Sequence, residues 1–248
     1  MDISTRTVFI AGGTSGIGLG LARRFAAAGS TVIVGGRRTD PVGDGIEVVG
    51  IDVTDPGSVI AARDAVLSAH PELDLVVTMA GVLLTEDLRD PAHFATAETT
   101  IEVNVLGTIR VIDAFTPHLI ERGSGTVMTV SSGIGFLPFP LMATYGASKA
   151  AVHAYSEALR VQLADSGVDV VELVPPAVAT TPENKQLNPH ALDLEDFLDE
   201  VIDLLSADPT PDEVLVQGVQ MHRWAERDGT YADLVAQRSA ILQRLRAQ

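Results

Sequence analysis

The sequence predicts one doubly wound α/β domain, an about seven-stranded parallel sheet with helices on both faces. Three features predict it. Short apolar, β-branched runs alternate with longer stretches of helical periodicity, the pattern of a parallel sheet covered on both sides. A glycine cluster follows the first run, where such folds turn from strand to helix. No Pro/Gly/Ser-rich linker or internal repeat divides the chain. A single domain over residues 1–248 is therefore the economical reading, and it is long enough to bury a full core.

Taken in order, Thr7–Ala11 is the first strand and Ile17–Ala28 the first helix, stopped by Gly29. Thr31–Val34 is the second strand. From Arg37 to Gly45, one Pro and two Gly leave no room for a helix, so a loop leads to the third strand, Glu47–Ile51. Thr54-Asp55-Pro56 opens the next helix, with an N-cap acid and Pro in the first turn. Leu73–Met79 and Thr126–Val130 are strands four and five, separated by a long helix over Ala97–Glu121. A helix over Tyr145–Leu163 leads to the sixth strand, Val168–Val174. A late helix follows Asp193, and Val214–Val216 forms the last strand. The acidic run Glu195–Asp203 reads as that helix's solvated face.

Composition excludes several functions. The net charge of −16 argues against binding nucleic acid or an anionic membrane by bulk electrostatics. It also means that a phosphate-rich ligand would need local cations. With no cysteine there is no disulfide, thiolate nucleophile or Cys-ligated metal. The charge-free stretch Gly123–Ser148 carries five Gly and two Pro, so it reads as strand and loop rather than a membrane span. Without an apolar leader after Met1, a cytoplasmic location is expected. His93, His153, His190 and His222 show no metal-ligand spacing, and no metal is expected.

The turn after the first strand reads Gly12-Gly13-Thr14-Ser15-Gly16-Ile17-Gly18. Glycines allow a sharp turn and close approach to a pyrophosphate, and the N–H groups and dipole of the following helix favour an anion. A dinucleotide site is expected here. NAD sites place an acid at the end of the second strand to bond the ribose 2′-hydroxyl; here Gly36 is followed by Arg37 and Arg38. A guanidinium suits a 2′-phosphate, so NADP is expected over NAD.

Tyr145 and Lys149 lie four apart on one helix face, and Ser132 ends the fifth strand, where a doubly wound sheet places its ligands. Carbonyl reduction needs a proton at oxygen while hydride reaches carbon. An ammonium beside a phenol stabilises phenolate, so Tyr145 can serve as acid or base. Ser132 can hold the substrate oxygen.

These motifs resemble the short-chain dehydrogenase/reductase family. Ala11, Gly12, Gly16 and Gly18 match its Thr-Gly-x3-Gly-x-Gly turn, Ser132, Tyr145 and Lys149 its Ser-x12-Tyr-x3-Lys, and Asn104-Val105-Leu106-Gly107 its Asn-x-x-Gly. The resemblance covers residues 5 to 181. It implies a Rossmann-type fold and a catalytic tetrad of Asn104, Ser132, Tyr145 and Lys149. Lys149 would also bond the nicotinamide ribose, and Asn104 would hold a relay water. Asp52 and Val53 would meet the adenine, and Ala80-Gly81 the adenosine ribose. Pro175 and Val178 would border the nicotinamide, with Thr180 bonding its carboxamide through the hydroxyl and Val178 through the backbone. The family's Asn-Asn-Ala-Gly reads Thr78-Met79-Ala80-Gly81 here, its Pro-Gly reads Pro175-Pro176, and Ser15 stands where many NADP-dependent members carry a basic residue. A homodimer or homotetramer is implied through the helices bearing Asn104 and Tyr145.

The uncharged loop Gly133–Met142 would wall a pocket for a small, neutral or apolar alcohol/carbonyl pair. Phe136, Leu137 and Phe139 could instead pack on neighbours or on a partner subunit. A substrate lid is expected over about 181–205, and a C-terminal extension over about 217–248. Two other functions are open: a non-catalytic NADP-binding sensor, and an isomerase or dehydratase that returns the cofactor unchanged.

Overall fold

Seven parallel strands lie in the order β3-β2-β1-β4-β5-β6-β9 in the computed structural model, which describes residues 1–246, with side chains described through 240. They are β1 (Thr7–Ala11), β2 (Thr31–Gly36), β3 (Glu47–Gly50), β4 (Leu75–Thr78), β5 (Gly125–Val130), β6 (Val168–Leu173) and β9 (Glu213–Val214). Strand order reverses between β1 and β4, and the crevice beyond their C-terminal ends is the place for a ligand in this topology.

Alternate side chains of each strand serve opposite faces. Val8 and Ile10 join one core layer with Leu21 and Phe25 of α1 (Gly16–Ala28) and Phe197 and Val201 of α8 (Leu194–Leu205). Phe9 and Ala11 join the other, under α2 (Pro56–Ala69), α4 (Gly107–Arg122) and α6 (Ala143–Leu163). There Phe9 stacks on Phe115 with ring centroids 4.8 Å apart, both fully buried. Burying each ring is worth about 2–3 kcal/mol. Asp55 caps α2 by accepting from the Gly57 amide at 2.9 Å, and the segment 37–45 forms no helix.

Two expectations change. The helix over 97–121 starts earlier, as α3 (Phe94–Ile101), and passes through a π-helical turn at Glu102–Leu106 before α4. That wider turn is centred on Asn104. The lid expected over 181–205 divides. Phe197, Leu198, Val201 and Leu205 of α8 are at most 1% exposed, so this helix belongs to the core. Its acids lie outside, and Arg24 pairs with Glu195 and Asp199 at 2.8 Å each. Only the segment before it, with α7 (Pro182–Leu187) and the short pair β7 (Val178–Ala179) and β8 (Leu192–Asp193), stands off the body. No described helix is long and apolar enough to cross a membrane.

Candidate active site

The glycine turn packs the start of α1 against the tips of β1 and β4. Gly12 has φ 91°, and a Cβ there would lie 2.4 Å from the Ala80 nitrogen. A Cβ on Gly18 would lie 2.3 Å from the Gly12 carbonyl oxygen. Neither position has room for a side chain. Thr14, Ser15 and Ile17 belong to the same turn, and Gly16 faces Thr180, whose methyl is 3.5 Å from a Cβ position. No side chain caps α1 at Ser15, which leaves first-turn amides and the positive helix end for an anion.

The end of β2 carries no acid and is packed under Thr14. A Cβ on Gly36 would meet Thr14 Oγ1 at 2.6 Å. Arg37 and Arg38 follow on the surface, and among the described residues Arg38 has no hydrogen bond or ion pair. Asp52 accepts from the Thr54 amide at 2.9 Å and from its hydroxyl at 2.7 Å. Those bonds, and secondarily the Arg37 charge, hold its carboxyl below the usual carboxylate value. Val53 is buried, and its carbonyl accepts from Arg110 at 3.2 Å.

Ser132, Tyr145 and Lys149 converge beside this crevice. Ser132 caps the short helix α5 (Gly133–Phe136); its hydroxyl accepts from Ile134 N at 3.3 Å and reaches the Pro175 carbonyl at 3.4 Å. It neighbours the Tyr145 phenol, which burial pushes up and the Ser132 hydroxyl pulls back. Lys149 is 6% exposed, and its Nζ donates to the Val130 carbonyl at 2.8 Å and lies 5.9 Å from the Tyr145 ring centroid. Burial pulls its ammonium down to about 8, opposed by the charge of Glu172. Gly81 lies between turn and site: a Cβ there would be 3.2 Å from Asn104 Oδ1 and 3.8 Å from Lys149 Nζ.

Asn104 is fully buried and its side chain is committed to bracing. Oδ1 accepts from Val82 N at 2.8 Å, and Nδ2 donates to the Val82 carbonyl at 2.9 Å and to Ser148 Oγ at 3.1 Å. Ser148 in turn donates to the Tyr145 carbonyl at 2.7 Å. The departures from the family pattern leave a trace, since Thr78 Oγ1 is buried without a partner among the described residues. Pro175 offers its carbonyl to Gly133 N at 3.0 Å. Val178 pairs with Leu192 in β8, and Thr180 Oγ1 donates to Asn184 at 3.3 Å.

The wall expected from Gly133–Met142 is partly turned inward. Leu137 is 1% exposed, and Phe136 packs edge-on against His153 at 4.7 Å. A charge from another element reaches the uncharged loop: Arg238 of α10 (Tyr231–Arg246) donates to the Leu137 carbonyl and, at 3.2 Å, to that of Pro138.

Three features had no sequence signal strong enough to act on. Glu86, its side chain 1% exposed, accepts from the Thr144 amide, from Thr144 Oγ1 at 2.9 Å and from His93 Nδ1 at 3.2 Å. It thereby caps α6, whose N-terminus has no side-chain cap of its own. His222 Nδ1 is buried without a partner among the described residues, beside Gly133, and burial pulls that imidazole down to about 4. His153, Glu172 and Glu213 bring ligand atoms within 4.8 Å of one another, a grouping that no local spacing reveals. Arg223 holds both Glu213 oxygens, at 2.8 and 2.9 Å, so the cluster has its own cations.

Comparison with known proteins agrees with this geometry. A profile of the short chain dehydrogenase family matches residues 6–191. The chain belongs to the short-chain dehydrogenase/reductase family. An uncharacterized oxidoreductase of this kind, DltE of Bacillus subtilis, is 33% identical over 187 residues, covering 73% of this chain and 74% of that one. Sulfoacetaldehyde reductase of Chromohalobacter salexigens is 35% identical over 181 residues, covering 69% and 72%. A short chain dehydrogenase from Burkholderia cenocepacia solved in complex with NADP superposes with a TM-score of 0.82 at 26% identity, over 95% of this chain and 99% of that one. The family accounts for the seven-stranded sheet and marks the chain as an oxidoreductase.

Proposed function

We propose that the protein is an NADP(H)-dependent oxidoreductase that interconverts a small alcohol and its ketone or aldehyde, with Tyr145 as the acid/base. One observation carries this reading: a half-buried phenol meets a buried ammonium and a buried hydroxyl beside a glycine turn with no room for side chains. The turn fits a dinucleotide, because Gly12 and Gly18 bring backbone amides to an uncapped helix N-terminus. NADP is favoured by Gly36, which puts no acid at the end of β2, and by the guanidinium of Arg38, unpaired among the described residues, beside Arg37. The cofactor, when bound, supplies or accepts the hydride.

The chain's own residues handle the proton. In reduction, Tyr145 Oη gives its proton to the carbonyl oxygen as negative charge develops there. Lys149 stabilises the phenolate left behind, in a site where burial strengthens that attraction. Ser132, beside Tyr145, turns its hydroxyl from the Pro175 carbonyl to the substrate oxygen. Asn104 holds the frame, bracing Val82 on one side and, through Ser148, the Tyr145 backbone on the other. Asp52 and Val53, Ala80 and Gly81, and Pro175, Val178 and Thr180 border the crevice along its length. The exposed Phe94, Ile101 and Leu106, on the helices around Asn104, suit pairing with a second copy.

Turnover tests the reading. Purified protein is given NADPH and a panel of small aldehydes and ketones, with charged members included because Arg238 borders the loop. Cofactor oxidation is expected with wild type, and a loss of at least about a thousandfold in Tyr145→Phe with NADPH affinity within about threefold of wild type. Full activity in Tyr145→Phe would falsify the mechanism. Tight NADPH binding without turnover of any carbonyl would support the sensor.

A further inference from the structure

Beneath α6 lies a charged cluster that the proton transfer above does not use. Glu172 is fully buried in β6. Thr129 of β5 is its register partner, and Thr129 Oγ1 meets Ser156 Oγ of α6 at 2.6 Å, so this side of both strands faces α6. Lys149, His153 and Ser156 follow one another along the facing side of that helix at spacings of four and three. Lys149 Nζ anchors on the carbonyl of Val130, the residue after Thr129.

A carboxylate in such a layer is strongly disfavoured unless cations surround it. Glu172 Oε2 meets His153 Nδ1 at 2.8 Å, whereas Oε1 is buried with no hydrogen-bond partner among the described residues. The remaining charges are accounted for. His153 lies 3.8 Å from Glu157 and 3.9 Å from Glu213, and Arg223 is paired with Glu213 at 2.8 Å. His153 is raised above its usual value by its bond to Glu172 and by these acids. Arg223, held first by Glu213, also feels the charge of Glu172, and Lys149 is a further cation on which it acts: Glu172 is the charge that opposes its loss of a proton on burial.

We propose that Glu172 is a positioning residue for the Tyr145–Lys149 pair, its buried carboxylate being the counter-charge that keeps Lys149 an ammonium. The inference rests on Tyr145 acting as the acid/base. Lys149 needs its charge to stabilise phenolate, yet it sits where burial removes that charge. Glu172 restores it from behind, with its carbon chain in β6 and without touching substrate. His153, on the solvent side of the carboxylate, shares the same negative charge.

The chain contains two lysines, Lys149 and Lys185, which makes a direct measurement practical. In protein labelled only at lysine, an NMR titration shows two signals, and Lys185→Arg identifies that of Lys149. Glu172→Gln keeps the side chain's size and its bond to His153 while removing the charge. The Lys149 midpoint is expected to fall by about one pH unit. The pH profile of turnover should move down with it, because losing a negative charge favours both the neutral amine and the phenolate. An unmoved Lys149 midpoint overturns the proposal. The titration needs no substrate, so it holds or fails independently of the Tyr145→Phe activity test. Should Glu172→Gln not fold, Lys149→Met probes the coupling from the other side. Reciprocity requires the Glu172 carboxyl midpoint to rise when the ammonium is removed. A Glu172 carboxyl signal, assigned through Glu172→Asp, that stays in place overturns the proposal equally.

Discussion

Glu86 is the residue through which a distant loop holds the helix that carries Tyr145 and Lys149, and its removal should be felt in both stability and rate. In Glu86→Ala, the Thr144 amide at the start of α6 loses its acceptor, and Thr144 Oγ1 and His93 lose theirs. Loss of a helix cap alone costs about 1 kcal/mol. A hydrogen bond to a buried charge is worth about 1.5–3 kcal/mol, and here the three bonds share one carboxylate and are not additive. The expected destabilisation is about 3 kcal/mol, or roughly 6–12 °C in melting temperature for a chain of this length. Tyr145 is the next residue after Thr144, so a loosened first turn also misplaces the phenol, and kcat should fall at least about tenfold. Burial pushes the Glu86 carboxyl up, but the bonds from Thr144 and His93 outweigh it and hold it below its usual value. Its contribution is therefore present above the carboxylate range and lost as pH falls through it, so wild type and variant should converge in acid. Glu86→Gln, which keeps one acceptor for the amide, should lose only about 1 kcal/mol. Thermal melts at several pH values and steady-state kinetics measure all of this. A Glu86→Ala protein melting within about 1 °C of wild type, with unchanged kcat, would show that α6 does not depend on this cap.

Two further outcomes follow from the site. The double variant Arg37→Ala/Arg38→Ala should weaken NADPH binding at least about tenfold while leaving NADH within about twofold, measured by titration of cofactor fluorescence; equal losses for both cofactors would refute the 2′-phosphate assignment. Lys149 is held at about 8, below the value for lysine in an unfolded chain, so its charged form opposes folding at neutral pH. Lys149→Met should consequently be inactive yet more stable than wild type by about 2 kcal/mol at pH 7. That advantage should shrink as pH rises above 8 toward the unfolded value, where wild type no longer has to bury a charge. Denaturant melts that show no narrowing over this range would contradict it.

Much of the molecule is written locally. Alternating β-branched runs and helical stretches give the sheet, because strand and helix periodicity act within a few residues. The turn at Gly12–Gly18 and the spacing of Tyr145 and Lys149 are equally local, since backbone sterics and one helical turn set them. Other features depend on which segments packing brings together. Glu86 and Thr144 are 58 positions apart, and Arg238 and Leu137 are 101 apart. As letters, Glu86 and Arg238 look like solvated charges. The π turn at Asn104 is a slip in hydrogen-bond register with no residue signature of its own. Glu172 left a trace, one acid in an otherwise apolar half-strand, but nothing in the sequence said which cations would surround it. Periodicity can be read along one chain, whereas burial and charge pairing belong to surfaces that meet only when the sheet closes. For that reason the sequence specified the fold and the candidate site groups, and the tertiary structure decided how those groups are held and charged.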